Sequence, residues 1–495
     1  MKRGERHVER REYHVEREER TTTFFKHQTN LINMKKLTLF LSFSCILAIV
    51  GIIIACVPSQ SKETTSKNQQ KIITNENNIL FAVVGFSSEQ TNISLLDLKK
   101  SYLESKIYVL ESVKPQADVF FQSKNIKIIK KLADFSVLAK DNILIVNLGS
   151  LTPEFRALSV DNTAFFDDNN TSNQLKYPLI IDKNTVFDYK NTITKFTLTG
   201  VTAVTRVTGM QTEKNGVKWL TEKLLPEFKA SDLTHISNEV SFIADCKLER
   251  GMKFCSKEAH FQSFIDLGAD IIELTGNHNL DYGTKPYENS INLYKKHNMQ
   301  TFGGGISPKD AYKPLIITLK DNKKIAFVGY NELCPCAECA DSPKSMGAAR
   351  YDSAKVKNII SELKKDAQIQ YIFASVQFGE SDNYFPTKAQ EKVSRYLVDI
   401  GADFVYGSQA HNVQYVEMYK GKPIFHGLGN FMFDQIHRKA VRQGFFLHNY
   451  IYNGKVVQSF PVFTFTADDR QPSLATTEQV LEIKKSIYLD KWLYK

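Results

Sequence analysis

Apolar and polar residues alternate in blocks along most of the chain, and these blocks predict strands that are followed by helices. The segment NILFAVVGFS (78–87) is apolar enough for a buried strand. The next segment, SLLDLKKSYLES (94–105), has helical spacing behind Ser94, a favourable N-cap residue. Two later runs, KIYVLES and NILIVNLGS, predict further strands. Residues 72–190 are therefore predicted to form a small α/β domain.

A second region, residues 194–467, alternates strand and helix patterns throughout, as a layered α/β domain does. Near its end the pattern becomes strictly alternating around Asn453 and Gly454, which is a strong hairpin-turn signal. The last segment, residues 468–495, is predicted to be a C-terminal helix.

Two stretches of the second region, IDLGADIIELTGNH and VDIGADFVYGSQAH, share one pattern. In each, a helix stops at a glycine (Gly268 or Gly401), a short apolar strand follows, and a polar loop closes on His278 or His411. Ligand-binding groups of layered sheets gather at the carboxyl ends of strands. We therefore expect both histidines at one rim of the sheets.

The amino-terminal segment predicts export. Residues 1–33 are highly charged and are interpreted as sequence upstream of a natural start at Met34, with a charged amphipathic arm as the alternative. Residues 34–55 combine two lysines with a long apolar run, which predicts a lipoprotein signal peptide cleaved before a lipidated Cys56. An uncleaved membrane helix is the alternative. Residues 56–71 form a polar tether. Both alternatives predict an extracytoplasmic, membrane-anchored protein of the bacterial cell envelope.

Composition adds limited information on partners. Hydrophobic residues make up 42% of the 495 residues, which is ordinary for a globular protein. Without residues 1–55, which hold 10 Lys/Arg and 6 Asp/Glu, 54 basic residues remain against 48 acidic ones. This mild excess permits contact with an anionic polymer or membrane face. No basic-aromatic stripe indicates nucleic acid, and none is expected as a partner.

Five cysteines follow the tether. Cys246 and Cys255 are spaced to close a short disulfide loop in an oxidising compartment. The motif CPCAEC holds Cys334, Cys336 and Cys339, which is one thiol short of a structural zinc set. All five are disulfide candidates, and zinc binding by the three clustered thiols is the alternative.

The densest polar loop is LTGNHNLDYG (274–283), with Asn277, His278 and Asp281 just after a predicted strand. An amide oxygen can bind a metal, and an imidazole with a pKa near neutrality can protonate a leaving oxygen. The structural alternative is a capped turn that holds a hydrogen-bonded histidine.

This loop and three other motifs together resemble the CapA family, whose members assist poly-γ-glutamate capsule production. The other motifs are TFGGG, PTKAQEKVSRYLVDIGADFVYGSQAH and VEMYKGKPIFHGLGNFMFDQ, in family order and spacing across residues 195–467. The resemblance implies a four-layer calcineurin-like metallophosphoesterase fold, with two packed sheets flanked by helices, preceded by the smaller α/β domain.

The resemblance also implies site residues. His278, Asp281 and Arg206 are the expected catalytic residues, and Glu239, Asn277 and His411 are the expected metal ligands. The cleft is expected to include Glu380, Gln377, Gln409, Asn430 and Asp434.

Three departures from the family pattern weaken the implied metal site. Val201 stands where the family has aspartate, Gln377 where it has histidine, and Ser408 and Gln409 where its last loop carries another histidine. Valine cannot bind a metal and amides are weak neutral ligands. We therefore expect either one divalent metal of unknown identity or none.

Three hypotheses for function follow. The first is a CapA-type envelope lipoprotein that acts in the synthesis or export of an anionic polymer such as poly-γ-glutamate, with a cleft that either hydrolyses a phosphoester, as metallophosphoesterases do, or binds polymer or a metal. The second is a non-catalytic module that binds the polymer or capsule synthase subunits. The third is a solute-binding lipoprotein acting through residues 72–190, where ISLLDLKKSY is faintly similar to periplasmic solute-binding proteins.

Overall fold

The first region folds around a strand that is buried along its whole length, because all six of its residues are apolar or glycine. The computed structural model describes residues 76–123, 126–136, 138, 142–167, 176–182, 185–333, 338–379 and 383–488. The strands of the first region are β1 (Leu80–Gly85), β2 (Asn92–Ile93), β3 (Tyr108–Leu110), β4 (Lys127–Ile129), β5 (Leu144–Asn147), β6 (Phe155–Ala157) and β7 (Ser159–Val160).

Five of these strands form one sheet in the order β4-β3-β5-β1-β6, and β2 pairs with β7. The predicted helix after Ser94 is present, and the Ser94 side chain accepts a hydrogen bond from the backbone N–H of Asp97 as an N-cap does. The helices are Leu95–Leu103, Lys114–Phe121, Leu132–Ser136 and Tyr189–Thr192, with 3-10 turns at Glu76–Asn78, Glu111–Val113 and Leu148–Ser150.

The second region contributes two larger sheets. Its strands are β8 (Thr194–Thr202), β9 (Leu233–Asn238), β10 (Phe242–Ile243), β11 (Ser256–Lys257), β12 (Ile271–Glu273), β13 (Gln300–Phe302), β14 (Gly304–Gly305), β15 (Leu315–Thr318), β16 (Lys324–Asn331), β17 (Gly347–Ala348), β18 (Ile369–Gln377), β19 (Phe404–Ser408), β20 (Val416–Tyr419), β21 (Lys422–Phe425), β22 (Asn430–Met432), β23 (Gln443–Tyr452), β24 (Lys455–Thr466) and β25 (Pro472–Leu474).

One sheet runs β13-β12-β9-β8-β23-β24-β25 with β22 also paired to β8, and the other runs β15-β16-β18-β19-β21-β20. Strands β8, β9, β12 and β13 are mutually parallel, as are β16, β18, β19 and β21. The helices of this region are Arg206–Asn215, Val217–Thr221, Leu225–Phe228, Gln262–Asp266, Thr284–Lys296, Pro308–Ala311, Ser353–Lys365, Lys388–Asp399, Lys439–Arg442 and Thr477–Ile487, with a 3-10 turn at Glu258–Phe261.

The two sheets pack face to face on an aromatic core. Phe327 and Phe373 of one sheet stack at 4.9 Å between ring centres, and Phe196 of the other sheet meets Phe327 edge-on at 5.4 Å. Helices cover the outer face of each sheet, so that each face has its own apolar core. This helix–sheet–sheet–helix layering is the architecture that the sequence resemblance predicts.

The paired sequence stretches have the same local structure. Gly268 (φ 67°) and Gly401 (φ 120°) both have positive φ beyond a helix. The following residue closes the helix end by donating its N–H to a carbonyl of the last turn, over 2.9 Å in both cases. The apolar runs then form the parallel strands β12 and β19, as predicted, one in each sheet.

The predicted hairpin is formed by β23 and β24, with Asn453 and Gly454 at φ 52° and 72°. It also connects the two regions. Tyr450, Tyr452 and Val457 pack in the apolar core of the first region, and Ala157 of β6 donates its N–H to the side chain of Gln458 over 2.7 Å. The described residues of the two regions therefore belong to one compact unit.

The predicted C-terminal segment contains the helix Thr477–Ile487, and the short strand β25 precedes that helix. Within the described ranges, no helix combines the length and apolar character needed to cross a bilayer. Residues 1–75, which include the predicted signal peptide, the tether and Cys56, lie outside the described residues.

Candidate functional site

Most of the expected site residues lie at the carboxyl ends of parallel strands, as the sequence predicts. Strands from both sheets end at this rim, so side chains from the two halves of the sandwich meet there. The residues are Val201 in β8, Glu239 after β9, Asn277 and His278 after β12, Gln377 at the end of β18, and Gln409 and His411 after β19.

An amide side chain occupies the centre of the rim. The Gln377 Nε2 group donates to Glu239 Oε1 at 2.9 Å and lies 3.1 Å from Asn277 Oδ1. Its third close neighbour is Gln409 Oε1, while Ser408 Oγ donates to Gln377 Oε1 at 2.5 Å. We call these five residues the rim cluster. Three oxygen atoms from three strand ends thus converge on one nitrogen that carries two hydrogens.

The rim cluster is deeply buried. Gln377, Glu239 and Gln409 expose 1%, 2% and 3% of their surface. The second carboxylate oxygen of Glu239 has no hydrogen-bond partner among the described residues. An unsatisfied carboxylate oxygen in a buried position is costly, and such atoms require a ligand, a water molecule or an ion.

Glycine allows two strand ends to approach closely at this rim. A Cβ atom on Gly276 would lie 2.6 Å from the Glu239 Cα atom, which is closer than any real contact. Beside it, Val240 and His278 form an isolated parallel bridge. Gly276 therefore lets the loop after β12 reach Glu239.

His278 is held beside the rim cluster by a carboxylate and an aromatic ring. Its Nδ1 lies 2.8 Å from Asp281 Oδ2, which also accepts the backbone N–H of Phe254 at 2.6 Å. The Phe254 ring lies 3.9 Å from the imidazole centre. Burial lowers the His278 pKa, but the Asp281 hydrogen bond and the nearby charges of Glu239, Asp281 and Glu338 outweigh this and raise the pKa above 6.5.

Arg206 forms a second fixed pair. Its Nε donates to both carboxylate oxygens of Asp434, at 3.1 and 3.0 Å. The guanidinium lies over the rings of Phe254 and Phe433, 4.4 and 5.2 Å from their centres. Arg206 has a φ of 44°, which is strained for a residue with a side chain. It begins the helix Arg206–Asn215 directly after the loop from β8.

His411 has different neighbours from those expected. Its Nδ1 lies 2.8 Å from Asn430 Oδ1, and its ring stacks on Phe433 with 5.0 Å between centres. No hydrogen bond among the described residues joins His411 to Glu239 or Asn277. Gln409 and His411 both have positive φ, at 76° and 52°. Such strained positions cluster at functional sites.

The donor set at this rim does not fit a two-metal centre. Val201 is buried and offers no donor, and the rim cluster contains one carboxylate among neutral amides and a hydroxyl. Across the described residues, no three histidine, cysteine, aspartate or glutamate side chains are grouped to hold a metal ion. The oxygens that converge here already accept hydrogen bonds from the Gln377 amide.

Some expected site residues fall elsewhere. Cys246 and Cys255 form the predicted disulfide, with Cα atoms 6.0 Å apart, and Cys339 is also disulfide-bonded. Glu380, Cys334 and Cys336 lie outside the described residues.

A second polar cluster, which we did not predict, lies between the two sheets beneath the rim. His235 Nε2 lies 3.0 Å from Glu273 Oε2 and 3.3 Å from the Tyr406 hydroxyl. Thr275 donates to Glu273 Oε1 at 2.5 Å, and Ser375 donates to the same oxygen. We call these five residues the interior cluster. The signal for it was a glutamate within the apolar run IIEL and a histidine within a strand pattern.

Burial and hydrogen bonding oppose one another at the centre of the interior cluster. His235 and Glu273 are completely buried. Burial raises the Glu273 pKa, but hydrogen bonds from His235, Ser375 and Thr275 and the charge of His235 outweigh burial and lower the pKa below 4.5. Glu273 is therefore held as a carboxylate in the core.

Part of the chain is similar to known proteins. The family model of the bacterial capsule synthesis protein PGA_cap matches residues 195–435. Residues 195–435 are therefore similar to the CapA family. The CapA segment, as we call residues 195–435, begins within β8 and ends after β22.

Two curated relatives match part of the chain. The PGA biosynthesis protein CapA of Bacillus subtilis is 28% identical over 233 residues, which is 45% of this chain and 59% of the relative. The capsule biosynthesis protein CapA of Bacillus anthracis is 26% identical over 191 residues, 38% of this chain and 46% of the relative. The chain thus spans about half the length of these relatives.

Among solved structures, the sulfate thiohydrolase SoxB of Thermus thermophilus matches 55% of this chain and 45% of its own. The identity is 12% and the TM-score is 0.32, which is too low to establish a shared fold. The likeness of the CapA segment to this family therefore rests on the family model and the curated relatives.

Proposed function

We propose that this protein takes part in the synthesis or export of an anionic envelope polymer such as poly-γ-glutamate, and that the rim of its CapA segment binds rather than hydrolyses. The names of the two Bacillus relatives support the assignment of such a polymer. The observation that carries the binding role is the Gln377 amide, which bridges Glu239 and Asn277 where the family resemblance implies metal ligands.

The physical basis for binding is that the rim cluster has hydrogen-bonding groups that a ligand can engage. The free Glu239 oxygen can accept a hydrogen bond from a ligand, and the Gln377 amide can exchange partners with a ligand carbonyl. His278, with its raised pKa, supplies a cation for a carboxylate below neutral pH. A polymer of amides and carboxylates offers groups that complement all three.

A second candidate function is metal-dependent phosphoester hydrolysis. It is favoured by the His278–Asp281 pair, which has the geometry of a general acid oriented by a carboxylate. In that case a single divalent ion would take Glu239, Asn277 and His411 as ligands, and His411 would have to leave Asn430.

Metal content separates the two candidates. We would purify the wild type and the triple variant Val201→Asp/Gln377→His/Gln409→His, dialyse both against Mn²⁺, and measure the bound metal by mass spectrometry. We expect a substoichiometric ion in the wild type and a gain in the variant, because the variant restores one carboxylate and two imidazoles. Stoichiometric metal in the wild type, with phosphodiester turnover that His278→Ala abolishes, would instead establish the hydrolase.

Polymer binding is tested with fluorescent poly-γ-glutamate and the purified chain. We expect anisotropy to rise with protein concentration and the affinity to fall with salt. Gln377→Met should weaken binding, whereas Gln458→Met, remote from the rim, should leave it unchanged. Equal binding by the wild type and both variants would show that the rim does not bind the polymer.

We further propose that the protein is an extracytoplasmic lipoprotein anchored through Cys56, with capsule synthase subunits as a second class of partner. The support is the apolar run that ends at Cys56 and the capsule-related names of the relatives. Cys56→Ala should release the protein from membranes of the expressing bacterium and abolish incorporation of labelled fatty acid. Retention by a full-length apolar helix would favour the uncleaved alternative.

A further inference from the structure

A cavity of about 390 Å³ lies where the first region meets the hairpin and the C-terminal helix. Phe86 lies beyond the end of β1, Arg156 belongs to β6, residues 459–463 belong to β24, and Lys484 and Tyr488 come from the last helix and its end. The volume is in the range of small-molecule sites. None of the residues that line it belongs to the rim cluster.

Two cationic side chains, Arg156 and Lys484, line this cavity. Among the described residues, neither Arg156 nor Lys484 forms an ion pair. A terminal N–H group of Arg156 donates to the carbonyls of Ser88 and Gln90, but its buried Nε has no hydrogen-bond partner among the described residues. Unpaired basic groups that are withdrawn from water are energetically unfavourable, and a bound anion relieves this cost.

The surrounding charges make the cavity electropositive. Burial lowers the Lys484 pKa, and the charge of Arg156 lowers it further, while Glu89 acts in the opposite direction. Glu227 is the acidic residue that lines the cavity, and its carboxylate lies 3.2 Å from His448 Nε2. The Glu227 carboxylate is therefore paired with the imidazole of His448, which does not line the cavity.

The remaining walls are largely apolar. Phe86 and Tyr488 meet edge-on with 5.5 Å between ring centres, and Phe460, Phe463 and Val480 are among the other apolar lining residues. We propose that this cavity binds an organic carboxylate whose apolar body lies against the aromatic walls and whose charged group lies between Arg156 and Lys484. The inference does not depend on the proposed function of the rim.

This site would give the first region a role, because its ligand would contact β6, the hairpin and the last helix together. Binding to the folded chain alone raises the unfolding temperature as ligand is added. The probes are butyrate, phenylacetate and octanoate, each compared with its primary amide. We expect at least one carboxylate to raise the unfolding temperature of the full chain, and its amide to have no effect at the same concentration.

Charge variants test the assignment. Lys484→Met should weaken carboxylate binding at least tenfold, whereas Lys485→Met, which removes the same charge from an exposed neighbour outside the cavity, should leave it unchanged. Arg156→Met should also weaken binding, and the lysine pair decides the question if that variant does not fold. Stabilisation by the amides as well, equal binding by both lysine variants, or no carboxylate effect up to tens of millimolar would each overturn the proposal.

Discussion

The rim cluster and the interior cluster are built on the same four strands, one above the other. On β9 and β12, the interior residues His235 and Glu273 precede Glu239 and Asn277 by four positions. On β18 and β19, the interior residues precede their rim counterparts by two positions. Each cluster therefore joins the two sheets of the sandwich through polar side chains.

The two clusters differ in how completely they satisfy their carboxylate. In the interior, both oxygens of Glu273 accept hydrogen bonds and its pKa is lowered. At the rim, one oxygen of Glu239 accepts a hydrogen bond from the Gln377 amide, and the other has no partner in the described part of the chain. The interior cluster is satisfied by its own hydrogen bonds, whereas the rim cluster leaves one carboxylate oxygen that a ligand would bond in the proposed binding role.

The largest expected effect is at the interior. Glu273→Leu leaves His235, Thr275 and Ser375 buried without their acceptor, so we expect the free energy of unfolding to fall by about 3–5 kcal/mol. Urea unfolding followed by circular dichroism measures this. Glu362→Leu, an exposed control, should change stability by less than about 0.5 kcal/mol. A loss below about 1 kcal/mol at position 273 would contradict a structural role for the interior cluster.

A smaller effect is expected where the rim backbone is tightest. Gly276→Ala places a methyl group against the Glu239 backbone, which cannot move aside as a side chain would. We expect a loss of about 3 kcal/mol in the free energy of unfolding. Gly251→Ala is the matched control, because no atom lies within 4 Å of its added methyl group. Equal behaviour of the two variants would show that the strand ends are less closely packed than described.

Removing the bridging amide of Gln377 should lower the free energy of unfolding by less than Gly276→Ala does. Gln377→Met keeps the volume of the side chain but removes its amide group, so the other four residues of the rim cluster lose their hydrogen bonds to it. We therefore expect a loss of about 2 kcal/mol in the free energy of unfolding. The same urea titration applies. Gln377→His, which retains a donor, should recover part of this loss. An unchanged midpoint for the methionine variant would mean that the amide bridge contributes nothing to stability.

The smallest expected effect is a pH dependence of the interior cluster. The folded pKa of Glu273 is below its ordinary 4.5, so its stabilising contribution is complete above about pH 5.5 and is lost as the pH falls through the folded pKa. The stability difference between wild type and Glu273→Gln should therefore shrink on acidification below about pH 4.5. Urea titrations at several pH values measure this difference. A difference that widens toward acid would reverse the sign of the argument.

The sequence predicted the layers of the fold because apolar runs and glycine stops are local signals. Gly268 and Gly401 end their helices as expected, and the turn at Asn453 and Gly454 forms the expected hairpin. The rim also followed from local signals, since strand ends can be located without knowing the order of the strands.

The contacts within the site could not be predicted in the same way. Gln377 meets Glu239 and Asn277 across the interface of two sheets, and the sequence pattern left the order of those sheets open. The backbone at His411 is left-handed, its ring stacks on Phe433, and its Nδ1 pairs with Asn430. Hydrophobic periodicity predicts neither the contacts between the two sheets nor a left-handed φ.

The shared hairpin determines where this chain can be cut. The CapA segment ends at residue 435, but its sheet continues into β23, which pairs along β8, and then into β24 and β25. A fragment that stops at 435 would lose three strands of the sheet and expose the backbone donors and acceptors of β8 along an open edge. Such a fragment should aggregate. A soluble fragment must retain the hairpin and also the first region, which covers the apolar surface of the hairpin.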